Sequence, residues 1–310
     1  MALNRLKLSD KKIFDKYLGF EKHGLSVYNF ANIYIWRKFF DIRWALIENN
    51  LCVFFQDKIG AFLYLSPLGK NKGPQITKEV FRTLGKLNKN PEFAHIENVE
   101  EKDLDFYKEP GFKSELKACD YLCRRSDLAG LKGNKFKSKR SSHNYFIKHN
   151  DFTCGKILLK DRRVCAKLYN LWQKQRQADY PDPIYRGLLN DGAIALKEAL
   201  DNYKALGFQG VIVKINKEAK GFTFGFELDP DTFCILYEIT DLSVKGLAQF
   251  IFRAFCQELK KYKFINVMDD SGLENLKKVK LSYHPQKLIP AYIVRNKTPE
   301  PSLPIPPVAG

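Results

Sequence analysis

The residues best suited to chemistry in this 310-residue chain lie in its second half. The segment from Asn266 to Pro285 holds Asp269, Asp270, Lys280, Tyr283 and His284, set after a short β-prone run. A carboxylate at the carboxyl end of a strand can orient or deprotonate an amine, which must be neutral to act as a nucleophile. Asp270 is the acid–base candidate there, and Lys280 and Tyr283 are the candidate contacts to an acceptor. A structural reading competes: Asp270 or Ser271 could cap a helix running through Leu273, Leu276 and Val279. Glu238 is the second catalytic candidate. It interrupts the apolar run Phe233 to Ile239, so on a period-two strand it faces either solvent or a cleft.

Other chemistries lack their signatures. His143, His149 and His284 form no H-E-x-x-H pattern, so no metal is expected, and neither a Gly-x-Ser-x-Gly elbow nor a phosphate-loop Gly-Lys-Ser occurs. The seven cysteines are scattered without a C-x-x-C pair, and five sit in apolar surroundings. They read as reduced core residues of a cytosolic protein.

The formal charge of +17 favours a polyanionic partner: RNA, a phosphorylated cofactor or anionic lipid heads. Its densest expression is the stretch LKGNKFKSKRSSHNYF from Leu131 to Phe146. Lys132, Lys135, Lys137, Lys139 and Arg140 fall there with no intervening acid. Flanked by Leu128 and Leu131 on one side and by Tyr145 and Phe146 on the other, it reads as an ordered, largely helical bridge. Phe136 and Phe146 are expected to anchor it, with the cations facing an anionic ligand.

The elements that must position these groups repeat. A helix follows Ser9 and Asp10, a second spans about 26–38, and three strands occupy Ile42 to Ile47, Leu51 to Phe55 and Gly60 to Leu65. A helix near 76–89, the strand Phe93 to Val99, an acidic helix at 100–109 and a strand from Phe112 to Cys123 complete the first half. The second half gives the same order: a strand at Phe152 to Leu158, helices at 161–177 and 186–205, three strands between Val211 and Ile239, a helix at 245–260, a strand at 264–268, a helix at 272–279 and a strand at 288–294. An architectural repeat in the α/β class with mixed sheets follows. The expected organisation is a first domain over 1–125, the basic bridge over 126–150, a second domain over 151–296, and a proline-rich, disordered tail over 297–310. No window reaches the roughly 18 apolar residues of a membrane span, and the N-terminus has no signal-peptide core, so a soluble, cytoplasmic protein is expected.

The strand and helix order resembles that of the GNAT acyltransferases, which makes the expected fold two tandem GNAT-like domains forming a pseudo-repeat. In that fold the loop Asp241 to Ala248 presents backbone amides to a phosphorylated acyl carrier. The resemblance thus implies donor contacts at Ser243, Lys245 and Gly246, where glycine permits close backbone approach and the following helix start favours an anion. The acetyl-CoA signature is incomplete, since Ser243 stands where Gln or Arg is expected. Longer matches lie in Phe30 to Arg37 (FANIYIWR), Asp120 to Arg124 with Asp127 to Gly133, Lys139 and Arg140 with Asn144 and Phe146, and Asn266, Asp270 and Gly272 leading to Lys280, Ser282, Tyr283 and Pro285. Through them the chain resembles the bacterial family grouped with the C-terminal domain of phosphatidylglycerol lysyltransferase (DUF2156), a tandem-GNAT relative of the Fem transferases. The resemblance implies transfer of an aminoacyl group from charged tRNA to an amine or hydroxyl on a lipid headgroup, peptide or small molecule, with no cofactor. Lys132, Lys135, Lys137, Lys139 and Arg140 would then hold the tRNA, with peripheral contact to an anionic membrane a further expectation. Two alternatives stand beside it: an acyl-CoA-dependent N-acyltransferase, and a non-catalytic RNA- or phosphate-binding protein on the same scaffold.

Overall fold

The computed structural model describes residues 3–70, 72–108, 111–180 and 182–297. The strands are β1 (Asn4–Arg5), β2 (Asp41–Ile47), β3 (Asn50–Gln56), β4 (Ala61–Leu63), β5 (His95–Glu100), β6 (Phe112–Arg124), β7 (Phe152–Lys156), β8 (Gln209–Ile215), β9 (Glu218–Asp229), β10 (Thr232–Thr240), β11 (Phe264–Asn266) and β12 (Lys287–Asn296). The helices are α1 (Lys11–Leu18), α2 (Phe30–Tyr34), α3 (Pro74–Leu87), α4 (Arg125–Gly130), α5 (Lys137–His149), α6 (Arg162–Asp179), α7 (Pro183–Asp201), α8 (Leu247–Glu258) and α9 (Glu274–Leu281). The mixed α/β class expected from the sequence is what the chain adopts.

Local chemistry sets several boundaries. Asn29 caps α2 by accepting the Ala31 amide at 2.8 Å, and Asp182 caps α7 by accepting the Tyr185 amide at 2.7 Å ahead of Pro183. The β2–β3 and β8–β9 hairpins turn through Glu48–Asn49 and Asn216–Lys217, both pairs with positive φ, as tight hairpins require. Some expectations are corrected. The helix expected over 26–38 is α-helical only at Phe30–Tyr34, and the acidic segment forms the 3-10 turns Glu101–Tyr107. Most of the expected tail lies outside the described residues.

All twelve strands join one sheet in the order β1-β2-β3-β4-β5-β12-β6-β11-β10-β9-β8-β7. The two repeats do not keep separate sheets, because their final strands trade places. β12 ends the second repeat yet pairs with β5, with Tyr292 opposite Val99. β6 ends the first repeat yet pairs with β11, with Ile265 opposite Cys123. Between them β6 and β12 pair antiparallel from Phe112–Asn296 to Leu122–Lys287. The repeats also share a core: Phe14, Phe30 and Phe55 of the first lie in one buried cluster with Leu168, Phe222 and Phe224 of the second. Arg37 donates to Glu198 at 2.7 Å across the same boundary. No described helix is long and apolar enough to cross a membrane.

The basic stretch becomes α4, a 3-10 turn at Asn134–Phe136 and α5, packed over α8. Phe136 and Phe146 are both fully buried, in a second cluster with Phe233, Leu247 and Phe250.

Candidate active site

β10 and β11 run parallel, but they pair only from Thr232–Phe264 to Cys234–Asn266 and then part. Beyond that point β10 carries a bulge between Ile235 and Tyr237 against β9. The bulge reverses the alternation of side chains. Phe233 and Ile235 belong to the α5–α8 cluster, whereas Tyr237 turns to the opposite face and donates to the Gly192 carbonyl at 2.9 Å. Glu238 is thereby delivered to the face of Phe233 and Ile235. Gly225 on β9 makes the close approach possible, since a Cβ there would meet the Cys234 carbonyl oxygen at 1.8 Å.

Glu238 is partly buried. Burial pushes its carboxyl up to about 8, opposed by the charge of Lys139. Lys139 reaches in from α5, with its ammonium 4.2 Å from the centre of the Tyr283 ring. Burial lowers the Lys139 amine, opposed by Glu238. The Tyr283 phenol is raised, first by burial and then by the Glu238 charge, and its ring lies 4.6 Å from Phe252. A carboxyl that titrates close to neutrality, a half-buried amine and a phenol that keeps its proton thus meet where the sheet opens.

Asp270 lies elsewhere, in the turn after β11. Its Oδ2 accepts from the Tyr121 hydroxyl at 2.5 Å and its Oδ1 from the Gly272 amide at 3.0 Å. Both oxygens therefore hold the turn. Lys280 points its amine at the carbonyls of Val267 and Asp269, and burial lowers it, opposed by the charges of Asp269 and Asp120. It braces the same turn from below. Ser271 caps no helix: its amide bonds Asp269 Oδ1 at 2.7 Å, and α9 begins after Leu273. Sequence reasoning gave no role to Asp120, whose Oδ2 accepts from the Ser26 amide at 2.6 Å and Asn266 Nδ2 at 2.9 Å. Asn266 also donates to the Gly24 carbonyl. Buried polar residues on otherwise apolar strands were the available signal.

The Asp241–Ala248 loop is largely spoken for. The Leu242 amide bonds Gln175, the Ser243 amide and hydroxyl both bond Asp241 Oδ1, and the Val244 amide bonds the Asp241 carbonyl. Gly246 has φ +81° and lies against α5, where a Cβ would meet the Ser142 carbonyl oxygen at 2.1 Å. The close approach expected there is made by the protein's own helix. Lys245 sits 4.5 Å from the Tyr145 ring centre. On the bridge, Lys132, Lys135 and Lys137 are exposed, although Lys135 lies 3.7 Å from Asp127. Arg140 is turned inward, donating to the carbonyls of Leu131 and Gly133 and closing the α4 turn. Among the described residues no three His, Cys, Asp or Glu side chains gather as a metal site.

Residues 20–295 match the model of the family described as phosphatidylglycerol lysyltransferase, C-terminal. The chain belongs to that family. A Bacteroides thetaiotaomicron protein of unknown function is 26% identical over 96% of this chain and all of its own, with a TM-score of 0.85. The L-PGS structure from Bacillus licheniformis is 14% identical over 97% of this chain and 95% of its own, at 0.66. A tandem GNAT protein from the clavulanic acid pathway is 7% identical over 97% and 99%, at 0.51. A search of curated proteins gave no match. The lysyltransferase-family chain thus has the tandem GNAT-like fold, and family and fold together point to a GNAT-like acyltransferase.

Proposed function

We propose that this protein transfers an aminoacyl group from charged tRNA to an amine or hydroxyl acceptor, with Glu238 as general base. The observation that carries the reading is the Glu238 carboxyl, poised at about 8 beside Lys139 and Tyr283 at the opening between β10 and β11. A base is most effective when its pKa lies near the working pH. The acceptor N–H or O–H attacks the ester carbonyl and gives its proton to Glu238. A C–N or C–O bond forms, the bond to the tRNA ribose oxygen breaks, and that oxygen takes the proton back from Glu238. The activated ester supplies the driving force, so positioning and proton transfer are what the protein adds.

Two features favour charged tRNA over acyl-CoA. The Leu242, Ser243 and Val244 amides that would cradle a pyrophosphate are bonded within the protein, and the Ser142 carbonyl covers Gly246. The exposed lysines of the bridge, Lys132, Lys135 and Lys137, offer phosphate contacts instead. Asp270 and Lys280 serve this reading as structural residues, because their polar atoms are already engaged, and Arg140 holds the α4 turn through Nη1.

The test incubates the protein with a mixture of labelled aminoacyl-tRNAs and cell extract and asks which fraction acquires label. Label should appear in an acceptor, and Glu238→Gln should abolish its appearance while leaving tRNA affinity intact. Failure with every charged tRNA, together with transfer from acyl-CoA, would replace this reading by the acyl-CoA one. Salt-sensitive tRNA binding with no transfer in either case would make the protein a binder on an acyltransferase scaffold.

A further inference from the structure

The amino ends of the parallel pair β10–β11 border a feature that the transfer reaction does not use. A depression of about 550 Å³, open to solvent, is lined by Arg124, Arg125, Lys260, Lys261 and Lys263, with Ser126, Tyr262, Phe264 and Gln286 completing its wall; Arg124, Ser126, Lys260 and Gln286 are exposed. No carboxylate lines it. Glu238 lies six positions along β10 from Thr232 at this end, which places the two sites roughly 20 Å apart. Two of the five cations are neutralised from outside the lining, Lys261 by Glu227 at 2.6 Å and Lys263 by Asp231 at 3.0 Å. Arg125 donates to the carbonyls of Tyr262 and Cys256, which fixes it as part of the wall.

Arg124 and Lys260 differ. Arg124 donates through Nε to Gln286 Oε1 at 2.9 Å, which orients the guanidinium plane while its two terminal nitrogens have no partner among the described residues. Neither the Lys260 ammonium nor the Ser126 hydroxyl has one there either. An oriented guanidinium fork matches two oxygens of a phosphate, and a neighbouring ammonium and hydroxyl match the remainder. The volume is that of a small-molecule site rather than a single ion. The geometry points to a second ligand site at this end of the sheet, for a phosphate monoester or pyrophosphate group, with Arg124 and Lys260 as its principal contacts and Gln286 as the residue that positions Arg124. The site stands independently of the role of Glu238, so either assignment can fail without the other.

The experiment titrates the full chain by calorimetry with inorganic pyrophosphate and with ADP, and separately measures sedimentation with phosphatidylcholine vesicles with and without phosphatidic acid. Saturable binding of pyrophosphate or ADP, weakened about tenfold in Arg124→Ala and again in Lys260→Ala, assigns a soluble phosphate ligand. Vesicle binding that requires phosphatidic acid, depends on the same two residues and is displaced by pyrophosphate assigns a lipid phosphomonoester. Gln286→Ala should weaken either kind of binding by a smaller factor, while Lys78→Ala, on the exposed side of α3 in the first repeat, should leave it unchanged. Thermal melts of each variant show that the fold is retained. Absence of saturable binding by all probes, or equal binding by wild type and both alanine variants, overturns the assignment.

Discussion

The carbonyl oxygen of Ser142 lies directly over Gly246: a Cβ at that glycine would approach it to 2.1 Å. This contact joins the basic bridge to the start of α8, and it ties the Asp241–Ala248 loop to α5. Gly246→Ala must therefore both strain a backbone at φ +81° and push α5 away. We expect a loss of about 2–4 kcal/mol in chemical denaturation. Gly133 has nearly the same φ, +82°, but open space around it. Gly133→Ala should cost only about 1 kcal/mol, so equal losses at the two positions would argue against the packing explanation.

Glu238 links the candidate chemistry to stability. Its carboxyl is raised from 4.5 to about 8, so the folded state prefers it protonated. The stability it contributes is complete below pH 4.5 and is lost as the pH rises through 8. Glu238→Gln should thus stabilise the protein at pH 9, by on the order of a few kcal/mol, and make little difference at pH 4. Urea melts at the two pH values test this. A variant equally stable relative to wild type at both would show that the carboxyl is not held in its acid form.

Glu100 behaves oppositely. Burial disfavours its charge, yet the hydrogen bond and charge of His23, the Lys102 ammonium and the Gly24 amide outweigh that and hold it at about 2. Its Oε2 lies 2.8 Å from His23 Nδ1 and its Oε1 accepts the Gly24 amide at 2.7 Å. Here the stability is present above 4.5 and is lost as the pH falls towards 2. Glu100→Gln should cost about 3 kcal/mol at pH 7 and converge on wild type in acid, as followed by tryptophan fluorescence during urea unfolding.

The element order, the α/β class and the family resemblance could be read from residue patterns because those patterns are local or nearly continuous along the chain. The placement of β12 between β5 and β6 could not, since a period-two strand carries no mark of its neighbours. Glu238 shows the same limit within a single strand. Strict alternation from Phe233 would put it on the face of Cys234, and only the bulge at Ile235–Tyr237 sends it to the other side. The mid-strand Gly225 hinted at an irregularity but not at its register. Gly246 was legible as a point of close approach, yet its partner is Ser142, more than a hundred residues away, and no short-range signal names it. Asp270 and Lys280 looked reactive by type, but their turn consumes their polar atoms.

Lys139 offers the sharpest separation of charge from packing. Its ammonium lies 4.2 Å from the centre of the Tyr283 ring, and its charge lowers the Glu238 carboxyl against the effect of burial. Lys139→Met keeps an unbranched side chain of similar length and removes the charge, so the Glu238 carboxyl should move above 8 rather than below it. In a protein labelled with carbon-13 at glutamate side chains, the Glu238 resonance, assigned by its disappearance in Glu238→Gln, should titrate at higher pH in the methionine variant. If transfer activity depends on ionised Glu238, the lower limb of its pH profile should shift alkaline by the same amount. An unchanged or acid-shifted titration would mean that Lys139 acts on the ring alone, and that the base is tuned by burial without help from the bridge.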